Sequence, residues 1–353
     1  MPVSSTRSLL MHLPELIEVQ RLAAHGGQKM MRTEELAMIQ HRDLSLPLLA
    51  LEFGSTDPKA SVFFLTGGVH GLERIGTRVI LSYLKTLVNL SLWDKSIHDL
   101  LGRVRFSVIP IVNPVGMYYG RRSNGNGVDL MRNAPVDAEG VPSISIAAGH
   151  RISPRLPWYR GEQGRPMEDE AKAITSYFEE RFAKASSVIA LDVHSGFGAV
   201  DRLWFPYAKT QTPFPNLKEV FQLTHLLDRV YPHHIYKVEP QSASYTTHGD
   251  LWDYLYDRRR EAGGSLFIPL TLELGSWLWI KKNPRQLFSA LGMFNPLLPH
   301  RTSRILRRHL HLLDFLVRAA ATPEAWCKGT GMLHDPEEVL RMAKARWYND
   351  IAA

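Results

Sequence analysis

The sequence predicts a three-layer α/β/α sandwich, and three observations predict it. Short apolar runs rich in β-branched and aromatic residues recur along the chain, Ser61-Val62-Phe63-Phe64-Leu65 being the clearest. Between them lie longer segments whose apolar residues return every three or four positions. Strands alternating with helices build a sheet covered on both faces. No linker, low-complexity run or internal repeat divides the 353 residues, so a single domain is expected over 1–353. A chain of this size buries about three quarters of its extended surface.

Residues 14–39 read as helix interrupted at Gly26-Gly27, so 1–40 form a helical lead-in. Residues 44–53 read as a strand whose first half is weakened by Pro47. Strand 61–66 is closed by the turn pair Gly67-Gly68. Helix 73–90 places Ile75, Val79, Tyr83, Leu87 and Leu90 on one face. Strand 104–112 leads into a long Gly-, Asn- and Pro-rich loop at 113–165. Helix 168–185 opens on Glu168, Asp169 and Glu170, which suits the positive end of its dipole. Residues 188–193 form the next buried strand, followed by helix 217–230, a short strand at 234–238 and helix 251–261. Residues 266–274 are apolar almost throughout, as a central strand is, with pairing expected only after Pro269. Helix 301–320 follows, and 321–353 form a helical extension with a helix at 336–346.

Three stretches, read in order, carry chemistry. Gly67-Gly68-Val69-His70-Gly71-Leu72-Glu73 supplies a histidine and a carboxylate at a strand-to-helix turn. Leu191-Asp192-Val193-His194-Ser195-Gly196 supplies a histidine after an apolar run, and Thr271-Leu272-Glu273-Leu274-Gly275 a carboxylate late in another. Open α/β sheets place ligands at the carboxyl ends of their strands. Two His and one Glu around an open fourth position compose a catalytic zinc site, whereas structural zinc sites are closed and rich in Cys. The single cysteine, Cys327, excludes a Cys-based site. Taken alone, His70 and Glu73 also read as a turn histidine and a glutamate favoured by the helix dipole.

Further motifs decide between these readings. Asn113-Pro114-Val115-Gly116 precedes Arg121-Arg122-Ser123-Asn124-Gly125-Asn126-Gly127-Val128-Asp129-Leu130-Met131-Arg132-Asn133. Tyr159-Arg160-Gly161 then precedes Glu168-Asp169-Glu170. With the two His and two Glu, these residues resemble the zinc carboxypeptidase family related to carboxypeptidase A, over roughly residues 40 to 320. The resemblance implies a mixed, mainly parallel, eight-stranded sheet and one zinc per chain on His70, Glu73 and His194. It implies Glu273 as the general base and Arg122 as the group that polarises the scissile carbonyl, with Arg121 as competitor. Asp129 would orient His70, and Asp192, two residues before His194, reads as a weaker candidate for the same task.

For the substrate, the resemblance implies Arg132 and Asn133 at a terminal carboxylate, and Tyr245 as a candidate contact beside His248. Met131 stands where the family has Asn, and it cannot donate a hydrogen bond. Leu251, Asp250 and Asp253 fall near the family's specificity segment and leave the side-chain preference open. The function expected is a metallocarboxypeptidase-like hydrolase of peptide or peptide-like amides. The alternative is an N-acyl amino acid deacylase of the succinylglutamate desuccinylase and aspartoacylase type, which Asp192-Val193-His194 and Glu273-Leu274-Gly275 also resemble. A binding protein on an inactive scaffold would have lost a ligand or the base, and all four are present.

The net charge of +7 sits largely in Arg258-Arg259-Arg260, Lys281-Lys282 and 301–308. No nucleic-acid motif accompanies it, so no nucleic-acid partner is expected. The lone Cys, the lack of an apolar leader in residues 1–20 and the lack of a long apolar span make a cytoplasmic chain without membrane segments the expectation. The oligomeric state stays open.

Overall fold

The structure, a computed structural model, describes residues 6–25, 31–141, 145–289, 291–327 and 335–348. Two helices, α1 (Thr6–His12) and α2 (Pro14–His25), precede an antiparallel pair, β1 (Met31–His41) and β2 (Leu44–Gly54). β3 (Ser61–Gly67), α3 (Arg74–Leu90), α4 (Lys95–Arg103), β4 (Val104–Ile109) and α5 (Pro114–Tyr119) follow. After the long loop come α6 (Asp169–Phe182), β5 (Ser187–Ser195), β6 (Arg202–Phe205), α7 (Leu217–Val230), β7 (Lys237–Pro240), α8 (Leu251–Glu261) and β8 (Leu266–Leu274). The chain closes with α9 (Trp277–Lys282), α10 (Pro299–Ala321), α11 (Pro323–Cys327) and α12 (Pro336–Trp347).

The strands form one eight-stranded mixed sheet in the order β1-β2-β4-β3-β5-β8-β6-β7. β4, β3, β5 and β8 run parallel, as do β6 and β7, while β1, β2 and β6 supply the antiparallel contacts. Side chains alternate across a strand, so neighbours in β3 serve opposite layers. Phe63 stacks on its register partner Phe106, which meets Tyr83 of α3. Phe64 packs against Phe178 and Phe182 of α6 and Trp252 of α8 on the other face. All seven residues of β3 are buried, which is why the strand is apolar on both faces rather than alternating. Burying a phenylalanine of this kind stabilises by about 1.5–3 kcal/mol.

Several expectations are corrected. Met31–His41 is a strand, not the end of a helix. Glu34-Glu35-Leu36-Ala37-Met38 are good helix formers, but the ladder to β2 outweighs that local preference. Gly26-Gly27 lies outside the described residues. Pro47 is tolerated because β2 pairs with β4 only from Leu51 onward, leaving one side open at the proline. Pro269 likewise does not delay β8, which pairs with β5 from Leu266, while β6 joins only at Thr271–Glu273. The strand expected at 104–112 ends at Ile109, and the one expected at 234–238 forms at Lys237–Pro240. Within the expected loop, Pro114–Tyr119 forms α5, capped by Asn113.

α10 carries a buried histidine with a consequence for stability. His309 is 1% exposed, with Nδ1 3.0 Å from the Tyr236 hydroxyl. Burial pushes its pKa down to about 4, although Asp201 pulls the other way. The unfolded chain therefore takes up this proton before the folded one does. The stability is fully present above about pH 6.5 and is lost as pH falls toward 4. The loss is at most roughly 3 kcal/mol. His309→Asn should flatten the unfolding free energy between pH 7.5 and 4.5 by that order in urea titrations, and an unchanged slope would show that other groups set it.

Candidate metal centre

β4 lies on one side of β3 and β5 on the other, so the chain order reverses at the β3–β5 pair. Open α/β sheets bind their ligands at such a point, at the carboxyl ends of the strands. His70 and Glu73 occupy the turn from β3 to α3, and His194 lies near the end of β5. The turn needs glycine at Gly71, because a Cβ there would come 2.0 Å from the Gly116 carbonyl carbon. Asn113 holds this approach together. Its Oδ1 accepts the Gly116 N–H at 2.7 Å, and its Nδ2 donates to the Val69 carbonyl at 3.2 Å. The Asn-Pro-x-Gly motif thus supports the metal turn from behind.

The three donors converge. His70 Nδ1 lies 2.8 Å from Glu73 Oε1, His194 Nδ1 3.1 Å from Glu73 Oε2, and the two Nδ1 atoms 3.2 Å apart. Zinc bonds of about 2.0–2.2 Å in a tetrahedron separate donors by about 3.4 Å, so an ion needs the donors to part by at most about half an ångström. His70, Glu73 and His194 are the group so arranged among the described residues.

The outer nitrogens explain the orientation. His70 Nε2 lies 3.1 Å from Asp129 Oδ1, and His194 Nε2 lies 2.6 Å from Asp192 Oδ2. A carboxylate at Nε2 places the proton there and leaves the Nδ1 lone pair facing inward. Asp192 is fixed by Thr66 Oγ1 at 2.9 Å and Trp252 Nε1 at 3.0 Å. Asp129 accepts from Arg122 Nε at 2.8 Å and the Met131 N–H at 3.0 Å. Burial opposes charge on Asp129, yet Arg122 and His70 hold its carboxyl well below the usual range. Burial likewise opposes charge on Glu73, but His70 and His194 keep it ionised. Burial works against a proton on His194, and Asp192 and Glu73 more than reverse it. Three buried carboxylates around two imidazoles make a centre suited to a dication, and the residues fit one zinc.

Glu273 lies beside the triad as the register partner of His194 across the β5–β8 pair. Its Oε1 accepts the Phe197 N–H at 2.9 Å. Burial, reinforced by Glu73, pushes its pKa up to about 8. Phe197 also begins an aromatic wall with Trp204, Tyr245 and Trp277, at centroid distances of 5.4, 5.6 and 5.8 Å.

The arginines separate clearly. Arg122 reaches Glu73 Oε1 at 3.4 Å besides Asp129, while Arg121 is exposed over the Tyr119 ring at 5.0 Å. Arg132 is buried, its Nη1 donates to the Met131 carbonyl, and its Nε has no partner among the described residues. Tyr245 is half-buried. Burial raises its pKa, with Arg132, Glu273 and Arg122 close enough to act on it.

Asn133, expected at the substrate, makes two hydrogen bonds within the protein. Its Nδ2 donates to the Arg160 carbonyl within the loop, and its Oδ1 accepts the N–H of Glu168, the N-cap residue of α6. Met131 packs in the core. His248 accepts the Ala138 N–H, Asp253 accepts those of Ala208 and Lys209, and Leu251 is buried. Asp250 caps α8 through one oxygen while its Oδ2 has no partner. The sequence reading missed Trp252 and Asn295. Asn295 donates to the Leu72 carbonyl at 2.7 Å and accepts the Ile75 N–H at 2.9 Å, clamping the metal turn.

Residues 43–276 match a family described as zinc carboxypeptidase. Mast cell carboxypeptidase A of Rattus norvegicus is 25% identical over 229 residues, 60% of this chain and 52% of that protein. Carboxypeptidase E of Caenorhabditis elegans is 33% identical over 106 residues, 25% of this chain and 22% of that protein. The chain thus spans about half the length of the mast cell relative. Carboxypeptidase A of Helicoverpa armigera has a TM-score of 0.61 at 16% identity, covering 87% of this chain and 71% of that one. Bovine thrombin-activatable fibrinolysis inhibitor, in complex with tick carboxypeptidase inhibitor, gives 0.60 at 16%, covering 90% and 97%. The two structures show a common fold. These matches bear on the carboxypeptidase expectation and lend no specific support to the deacylase alternative.

Proposed function

The chain belongs to the zinc carboxypeptidase family, and from that premise we propose a metallocarboxypeptidase-like hydrolase that cleaves a peptide or peptide-like amide next to a free carboxylate. The observation that carries this is Arg132, a buried cation with an unused Nε donor and, among the described residues, no carboxylate bonded to it. A buried guanidinium without a carboxylate partner is costly unless an anion meets it, and its planar fork suits a carboxylate.

His70, Glu73 and His194 would hold one zinc, which would supply a Lewis acid and bring the ionisation of a water to about neutral pH. Glu273 is placed to take up a proton from the attacking water and to pass it to the leaving nitrogen. Its elevated pKa suits the transfer, and a nearby dication favours its carboxylate form beforehand. Arg122, at the edge of the triad, faces charge developing on the carbonyl oxygen. Arg132 and the Tyr245 phenol bind the substrate's carboxylate. Met131 leaves that grip one amide short, so Arg132 carries more of it. The lone Cys327 suits a reducing cytoplasm, where we place the chain.

The test is a matched pair of peptides, one ending in carboxylate and one in amide. The wild type should prefer the carboxylate. Arg132→Ala should raise KM for it about ten- to a hundredfold, because a charge-assisted contact is worth roughly 1.5–3 kcal/mol. Equal cleavage of both peptides by the wild type would reject the exopeptidase reading.

A further inference from the structure

We propose that the face built by residues 277–308 docks peripherally on an anionic lipid bilayer. No Asp or Glu lies between Glu273 and Asp314, while Lys281, Lys282, Arg285, Arg304 and Arg307 are exposed. Arg308 is the cation of this stretch with a carboxylate partner among the described residues, Asp201 at 3.4 Å. Large apolar side chains stand between the cations. Phe288 is 93% exposed, Leu287 55%, Trp277 54% and Leu297 47%.

These groups belong to one connected piece. Arg301 donates to the Trp279 and Lys282 carbonyls, tying α10 to α9. Gln286 Nε2 donates to the Gly292 and Asn295 carbonyls, tying together the intervening turns. The apolar tips are therefore held out by a hydrogen-bonded frame.

The combination selects the partner. An acidic peptide or a nucleic acid would use the cations and leave Leu287 and Phe288 in water. A bilayer takes both, with Lys and Arg at the headgroups and Phe, Leu and Trp at the acyl boundary. The chain's net charge of +7 adds long-range attraction to an anionic surface. Trp277 joins this face to the metal centre. Its Nε1 donates at 3.0 Å to the carbonyl of Gly196, two residues past His194. Docking thus brings the mouth of the site beside the membrane.

The experiment is co-sedimentation of the full chain with vesicles of phosphatidylcholine, with and without phosphatidylglycerol. Binding is expected only with phosphatidylglycerol, and is released by salt. Lys281→Gln/Lys282→Gln/Arg285→Gln should weaken it about a hundredfold, at about fivefold per charge. Leu287→Ser/Phe288→Ser should weaken it about tenfold or more. All five positions are exposed, so both variants should keep wild-type zinc content and turnover of a soluble peptide. Absence of wild-type binding to phosphatidylglycerol vesicles overturns the proposal. So does a serine variant that binds vesicles as the wild type does while an acidic peptide competes, which would make this face a polyanion site.

Discussion

Glu273→Gln is expected to keep the zinc and the fold and to lower kcat by about a thousand- to ten-thousandfold. The substitution preserves shape and retains an oxygen for the Phe197 N–H, which Oε1 now accepts at 2.9 Å. It removes the ability to take up and release a proton. The position allows little else to substitute for it. Glu273 is 7% exposed and sits opposite His194 in register, while Glu73, the nearby carboxylate, is engaged by both histidines. Because the residue does not ligate the metal, zinc content and KM should stay near wild type. Steady-state kinetics with metal analysis on the same preparation checks this. A kcat within tenfold of wild type would remove Glu273 from proton transfer and direct attention to the Tyr245 phenol, whose pKa is raised by burial.

The parts of the molecule legible in the sequence are those encoded locally. β3, β5 and β8 are buried on both faces and so read as continuous apolar runs. α3 shows its period because one face packs inward. The placement of His70 with Glu73, of His194 and of Glu273 was readable because three short motifs carry them, each at the end of one of these strands. Asp192 was readable too, since a strand's period of two puts it on the face of His194. Long-range partnerships were not. Trp252 reaches Asp192 from 60 positions away, and Asn295 reaches Ile75 from 220, and neither leaves a local signature. β1 was misread because its ladder comes from β2 rather than from its own composition. Asn133 shows a further limit, since a motif supplies an amide without saying whether it meets substrate or the Arg160 carbonyl.

His194→Ala should abolish both zinc retention and activity. The histidine contributes one of three donors, and its Nδ1 lies 3.2 Å from that of His70 and 3.1 Å from Glu73 Oε2. Losing an outer partner of a metal ligand already weakens binding about ten- to a hundredfold. Losing the ligand itself should therefore exceed a hundredfold, so zinc should be stripped by a chelator that leaves the wild type loaded. Asp192→Asn supplies the intermediate case, because it keeps Nδ1 in place and removes only the carboxylate at Nε2. Its zinc affinity should fall about ten- to a hundredfold. The fold should survive His194→Ala at a cost of about 1–3 kcal/mol, since Asp192 loses one partner while Thr66 and Trp252 remain. Thermal unfolding of the zinc-free proteins separates that structural cost from the metal effect. A His194→Ala protein that retains stoichiometric zinc after chelator dialysis would show that the ion is held elsewhere, and the triad would have to be reassigned.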